Sequence, residues 1–156
     1  MIKFEILGKP IAKARPRITR KGFAYTPQKT INYENLVRYT FQSEFPNHKP
    51  LQGYIEADIT AIFEIPKSYS KKKTKELLET HNNYDHKPDC DNLAKIILDS
   101  LNGIAYRDDS QVTILHINKE YGEQAKVIVE LKELIVTDKE ESKTEIEGQM
   151  TIDDVS

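Results

Sequence analysis

Cysteine is almost absent. Cys90 is the single one in 156 residues, so no disulfide can close within the chain, and no multi-cysteine zinc or iron–sulfur centre can be built from it. Long apolar runs are missing as well. Charged residues make up 31% of the chain, and no stretch approaches the roughly 20 apolar residues that a bilayer crossing requires, which excludes a transmembrane helix; no membrane partner is expected. The opening MIKFEILGKP lacks the basic lead, unbroken apolar segment and small-residue cleavage site of a signal peptide, which predicts a cytoplasmic protein. No internal repeat is visible.

What remains is one domain's worth of chain with 38% hydrophobic residues, enough for one modest core. The net charge of −2 conceals an asymmetry. Residues 1–40 hold nine Lys/Arg against two acids, residues 41–136 carry a net −4, and residues 137–156 a net −5. Because screening confines each charge to about 8 Å at physiological salt, the N-terminal quarter can meet a polyanion even on an acidic protein.

Periodicity assigns the main elements. Ile2, Phe4 and Ile6 alternate with Lys3 and Glu5 as in a half-buried strand that ends at Gly8 and Pro10. The basic run Lys13 to Gly22 has no periodic apolar face and reads as an ordered loop or hairpin. Tyr33, Leu36, Val37, Phe41 and Phe45 recur at helical spacing from Pro27 to Phe45, with Thr26 as the start signal. Ile55 to Ile65 alternate almost without a break and predict a central strand, and Ser70 predicts the cap of a basic helix reaching Glu79. Val112–Ile117 and Val127–Leu131 read as strands that the Gly122-Glu123-Gln124 turn would join as a hairpin. The expected fold is α+β, about four strands with helices packed on them. The folded domain should span residues 1–135, leaving an acidic, disordered tail at 136–156.

Chemistry concentrates in Lys87 to Gly103. Asp91 or Asn92 would cap a helix whose Leu93, Ile96, Ile97, Leu101 and Ile104 form the core face, while Asp91, Lys95 and Asp99 form a second stripe on the opposite side. Asp89 and Asp91, two residues apart at the helix entry, project the same way if the backbone there is extended, and could share a cation. Their hard oxygen donors favour Mg²⁺ or Mn²⁺ over zinc. Asp108 and Asp109 precede a strand, and an antiparallel return can bring Asp109 beside the first pair. The structural alternatives are ordinary ones: helix caps, a turn, and a Lys95 that pairs with Asp91 and Asp99. Cys90 lacks a recognisable His partner and reads as a small buried spacer.

These residues together resemble the RusA-type Holliday junction resolvases, endodeoxyribonucleases of bacteria and their prophages. The resemblance rests on Gly8-Lys9-Pro10 through Arg15-Pro16-Arg17, Tyr25-Thr26-Pro27, Lys87-Pro88-Asp89-x-Asp91-Asn92-Leu93, Leu98-Asp99-x-Leu101-Asn102-Gly103 and Asp108-Asp109-Ser110-Gln111-Val112. It implies a small mixed fold working as an intertwined homodimer on four-way DNA junctions, in recombination and repair. By the same resemblance Asp89, Asp91 and Asp109 match the catalytic aspartates that bind Mg²⁺, and Lys95 matches a lysine important for activity; Asp108 is the weaker candidate. Lys9, Lys13, Arg15, Arg17, Arg20 and Lys21, with Lys87, would contact DNA phosphates. The Lys71, Lys72, Lys73 and Lys75 cluster is an exposed helix face or an extension of that platform, and Tyr84 and His86 either pack locally or touch DNA.

Two other readings are open. One is a non-catalytic DNA-junction or single-strand binding module in which the aspartates only cap helices. The other is an interaction protein whose Gln149-Met150-Thr151-Ile152 segment docks to a replication protein such as a sliding clamp.

Overall fold

The computed structural model describes residues 1–80 and 83–135. The acidic tail with Gln149, Met150, Thr151 and Ile152 lies outside the described residues, as do His81 and Asn82. Four strands, β1 (Ile2–Leu7), β4 (Ile55–Glu64), β5 (Val112–Gly122) and β6 (Lys126–Glu133), form one mixed sheet in the order β1-β6-β4-β5. Two short strands, β2 (Arg17–Ile18) and β3 (Ala24–Tyr25), make a separate hairpin from the basic run. Three helices complete the α+β fold: α1 (Gln28–Glu44), α2 (Lys71–Glu79) and α3 (Cys90–Ser100).

β4 is central, as its alternation requires. Ile55, Ala57, Ile59 and Ala61 are fully buried and Phe63 nearly so, while Glu56, Asp58, Thr60 and Ile62 face the half-exposed side. A buried central strand must pair on both edges to satisfy its backbone. This requirement overturns the expected hairpin. β5 and β6 do not pair with each other; β4 lies between them, parallel to β5 and antiparallel to β6. The 122–125 turn therefore passes over the end of β4, where the Ile65 N–H donates to the Gly122 carbonyl at 3.1 Å. At the crossing, a Cβ on Gly122 would collide with the Ile62 side chain, so this close approach needs glycine.

The parallel β4–β5 pair needs a long crossover, and it is this crossover that carries α2, α3 and the acidic residues. α3 buries Leu93, Ala94, Ile96, Ile97, Leu98 and Ser100 and packs against α1 and β5. The side chain of Arg38 on α1 donates from Nε to the Ser100 carbonyl at 3.0 Å, locking the two helices together. α1 buries Thr30, Tyr33, Val37 and Phe41, but Leu36 is 40% exposed, because the buried stripe is narrower than its sequence spacing implies. Its N-cap is Pro27 and not Thr26, with the Pro27 carbonyl accepting from Thr30 N–H at 3.0 Å. Ser70 caps α2 as expected, its hydroxyl accepting from Lys73 N–H at 3.1 Å. Among the described residues no helix is long and apolar enough to cross a membrane.

Candidate active site and nucleic-acid interface

α3 starts earlier than its expected Asp91 or Asn92 cap. Pro88 keeps the preceding chain extended, and the helix begins as soon as the backbone clears it. Asp89 takes the N-cap position with φ −73° and ψ 153°, yet its side chain makes no capping hydrogen bond. Asp91 stands exposed in the first turn. The loop that delivers Asp89 is held by Lys119 on β5, whose Nζ donates to the carbonyls of His86 at 2.8 Å and Pro88 at 2.9 Å. Cys90 is half-exposed, not the buried spacer expected, because it is the first residue of α3, one turn before the buried face begins at Leu93.

The far end of α3 turns back sharply. Gly103 adopts φ +74°, the left-handed region open to glycine, and its N–H donates to the Tyr106 carbonyl at 2.8 Å. The fully buried Tyr106 hydroxyl donates to the Leu98 carbonyl, anchoring the return. Its pKa is pushed far upward by burial and then by the charges of Asp109, Asp99 and Asp108, so it stays a donor. A short 3₁₀ turn, Asp109–Gln111, follows and leads into β5.

The two adjacent aspartates there have different fates. Asp108 is the cap: its Oδ2 accepts from Ser110 N–H at 3.0 Å while Gln111 Oε1 accepts from Asp108 N–H at 3.0 Å, a reciprocal capping box. Hydrogen bonds from Ser110 hold the Asp108 carboxyl below its ordinary range. Asp109 is instead raised, first by desolvation, then by a hydrogen bond shared with Asp99 and the charges of Asp108 and Asp99; Lys95 opposes the rise. The Asp109 N–H donates to Asn102 Oδ1 at 2.8 Å.

Lys95 therefore projects its charge onto Asp109 and forms no ion pair with Asp91 or Asp99 among the described residues. The partner of Asp99 is Lys13, from the basic loop, at 3.6 Å; Lys13 also binds Glu34 of α1 at 3.0 Å. The Lys13 N–H donates to the Asn92 carbonyl at 3.1 Å, so the basic loop lies along the acidic helix. Of the cations predicted to meet DNA, Lys13 is thus committed to carboxylates. Arg15 is exposed beside it, and Arg20 and Lys21 are exposed near the tip of the β2–β3 hairpin, which closes through Gly22 at φ +85°. Lys9, Arg17 and Lys87 line a groove of about 390 Å³ together with Lys29 of α1.

A hard divalent cation suits this chemistry, because Asp109, raised by desolvation and by its Asp99 and Asp108 neighbours, sits among carboxylates that would gain from a shared positive charge. The return brings Asp109 against Asp99, and among the described residues no three His, Cys, Asp or Glu side chains already form a metal-holding group. Asp99, Asn102, Lys29 and Lys119 were not singled out for the site by sequence. Asp99 had a signal, its place on the Asp91–Lys95 stripe, and Asn102 had its position beside Gly103; Lys29 and Lys119 had none.

The comparisons with known proteins give a family match and a relative. The family model for endodeoxyribonuclease RusA matches residues 8–132. The chain is also 33% identical over 141 residues to the uncharacterized protein YqaN of Bacillus subtilis (strain 168), an overlap covering 85% of this chain and 96% of YqaN. Two ends of one helix bearing aspartates, a basic loop strapped along it and a sequence match across nearly the whole described fold lead to one assignment: the chain belongs to the RusA endodeoxyribonuclease family.

Proposed function

We propose that this protein is a structure-selective endodeoxyribonuclease that hydrolyses phosphodiesters in four-way DNA junctions with a divalent metal, acting as a homodimer in recombination and repair. The observation that carries the reading is the laying of the basic loop along α3 through Lys13, which sets the Lys9, Arg17, Lys29 and Lys87 groove beside the helix bearing Asp89, Asp91 and Lys95. A polyanion in that groove would run past carboxylates that repel it unless a cation intervenes.

Asp89 and Asp91 at the entry to α3 and Asp109 at the return from its far end are the carboxylates we assign to Mg²⁺, with Mn²⁺ as a substitute; among the described residues the three are not already gathered into one group. The bound ion would supply a lowered water pKa and charge neutralisation at the scissile phosphate. The groove cations fix the strand through its phosphates and leave the base sequence unread. Lys95 adds positive charge facing Asp109, available to the charge that develops on phosphate oxygens during attack. Asn102 holds the Asp109 backbone, and Lys119 holds the loop carrying Asp89.

The alternative, a junction binder whose aspartates only cap helices, is disfavoured at Asp89, which sits at an N-cap position without using its side chain to cap. Asp108 performs that task in full and is the aspartate least suited to catalysis. A synthetic four-way junction and a matched duplex, incubated with Mg²⁺ or EDTA, separate the two. Paired nicks in the junction only with metal support the nuclease; a gel shift without cutting under any divalent ion supports the binder.

A further inference from the structure

A second cavity, of about 410 Å³, adjoins the 84–89 loop, and the cleavage site leaves it without a task. Its walls are aromatic. Phe63 comes from the end of β4, Tyr69 from the connection to α2, Tyr84 from the loop before α3, and Tyr121 from β5. Phe63 and Tyr84 stack with centroids 3.9 Å apart and planes within 6°, and Tyr121 meets Tyr84 edge to face at 5.0 Å. At the rim stand exposed Lys9, His86 and Glu64. Phe63 and Tyr121 are buried, so the ring surface open to a ligand comes mainly from the half-buried Tyr69 and Tyr84. These rings border an open volume within the roughly 300–1,000 Å³ range of small-molecule sites.

Two features connect this cavity to nucleic acid. Lys9 and Tyr84 line both it and the basic groove, so a strand whose phosphates rest on Lys9, Arg17 and Lys87 passes its mouth. The loop is also one mechanical unit with the acidic helix: Tyr84 Oη donates to the Lys87 carbonyl at 3.3 Å, and Lys119 clamps the next turn of chain up to Asp89. Aromatic walls beside a phosphate-binding cation are the composition of sites that hold unpaired nucleotides, where each base stacks on a ring whatever its identity. A base inside a duplex cannot reach such a wall without leaving its stack, at a cost of a few kcal/mol that is least where pairing is already broken.

We propose that the Phe63–Tyr69–Tyr84–Tyr121 cavity receives one unpaired nucleobase from the strand that Lys9 holds, and that this stacking makes the protein favour branched or distorted DNA over duplex. The inference rests on the DNA-cleaving reading above. It assigns to the aromatic cavity the selectivity that phosphate contacts lack.

The test uses the full chain in EDTA, so that binding is read without cutting. Four-way junctions carrying 5-iododeoxyuridine at successive positions around the branch are bound, irradiated, and the crosslinked peptides mapped. Crosslinks to Tyr69, Tyr84 or Tyr121 from branch positions are the expected result. In parallel, Tyr84→Leu should weaken junction binding about tenfold, within the roughly 1–3 kcal/mol of a base–aromatic stack. Duplex affinity and the salt slope should hold, because no phosphate contact is lost. Tyr84→Phe, which keeps the ring and loses only the bond to Lys87, should retain junction affinity, separating stacking from loop positioning; Tyr69→Leu repeats the test from another element.

Junction binding by the wild type with crosslinks mapping only outside the cavity overturns this proposal and leaves the nuclease reading standing. Equal losses on junction and duplex for Tyr84→Leu and Tyr69→Leu do the same. Failure of the wild type to bind any DNA overturns both.

Discussion

The side-chain oxygen of Asn102 accepts the backbone N–H of Asp109 at 2.8 Å, tying the end of α3 to the first residue of the turn that follows seven positions later. Gly103 lets the chain reverse, and Asn102 then fixes where the reversal delivers Asp109. Asn102→Leu should cost about 1 kcal/mol of stability. Its larger effect should be on cleavage, expected to fall about 10- to 100-fold as for the supporting groups of metal sites. Junction affinity in EDTA should change little. Measuring cleavage rate and affinity on the same preparations separates positioning from binding, and an equal loss of both would count against it.

Asp109 carries a penalty for its ionisation in the metal-free protein. Its folded pKa lies above the ordinary 3.8 because of desolvation and the neighbouring Asp99 and Asp108 carboxylates. An acid raised on folding binds its proton more tightly in the native state, so its contribution is fully favourable below the unfolded pKa and is lost as pH rises through the folded one. Asp109→Asn should therefore raise the melting temperature relative to wild type at neutral pH in EDTA, with the difference shrinking on acidification toward the ordinary aspartate range. The same variant should lose Mg²⁺-dependent cleavage. Thermal melts across this pH window check the sign, and a wild type that outlasts the variant at neutral pH would contradict it.

Asp91 stands exposed at the entry to α3. Asp91→Asn keeps the size of the side chain and removes its charge. Folding and junction binding should survive while cleavage is abolished. Retention of full cleavage with Mg²⁺ would remove Asp91 from the metal site.

The cations of the basic segment should divide into two classes. Lys29→Ala or Arg17→Ala should weaken binding to every DNA sequence alike and reduce the slope of log affinity against log salt by about 0.9. Lys13→Ala should act through the fold, because it removes the cation shared by Asp99 and Glu34, both largely shielded, and leaves Glu34 only Arg38 at 3.9 Å. A loss of about 1–3 kcal/mol is expected in chemical denaturation. A stable Lys13→Ala protein with a reduced salt slope would instead return Lys13 to the phosphate-binding set.

Sequence by itself settled what depends on local periodicity and local chemistry. The alternation of β4, the Ser70 cap and the core face of α3 each follow from side chains repeating at the spacing of one element, so no distant residue has to be known. Clustering of positive charge in the first forty residues is likewise a property of the chain. Tertiary structure alone decided the partners. The turn at Gly122 looks like a hairpin until the central β4 claims both flanking strands for its own edges. Asp91, Lys95 and Asp99 look like an ion-paired stripe until Lys13, arriving from far away in sequence, takes Asp99 and leaves Lys95 facing Asp109. Phe63, Tyr69, Tyr84 and Tyr121 carry no shared spacing and meet only because the crossover packs its loop against the sheet. Pairing across long loops is set by which buried groups must be satisfied in the assembled fold, and that demand is not written in any single segment.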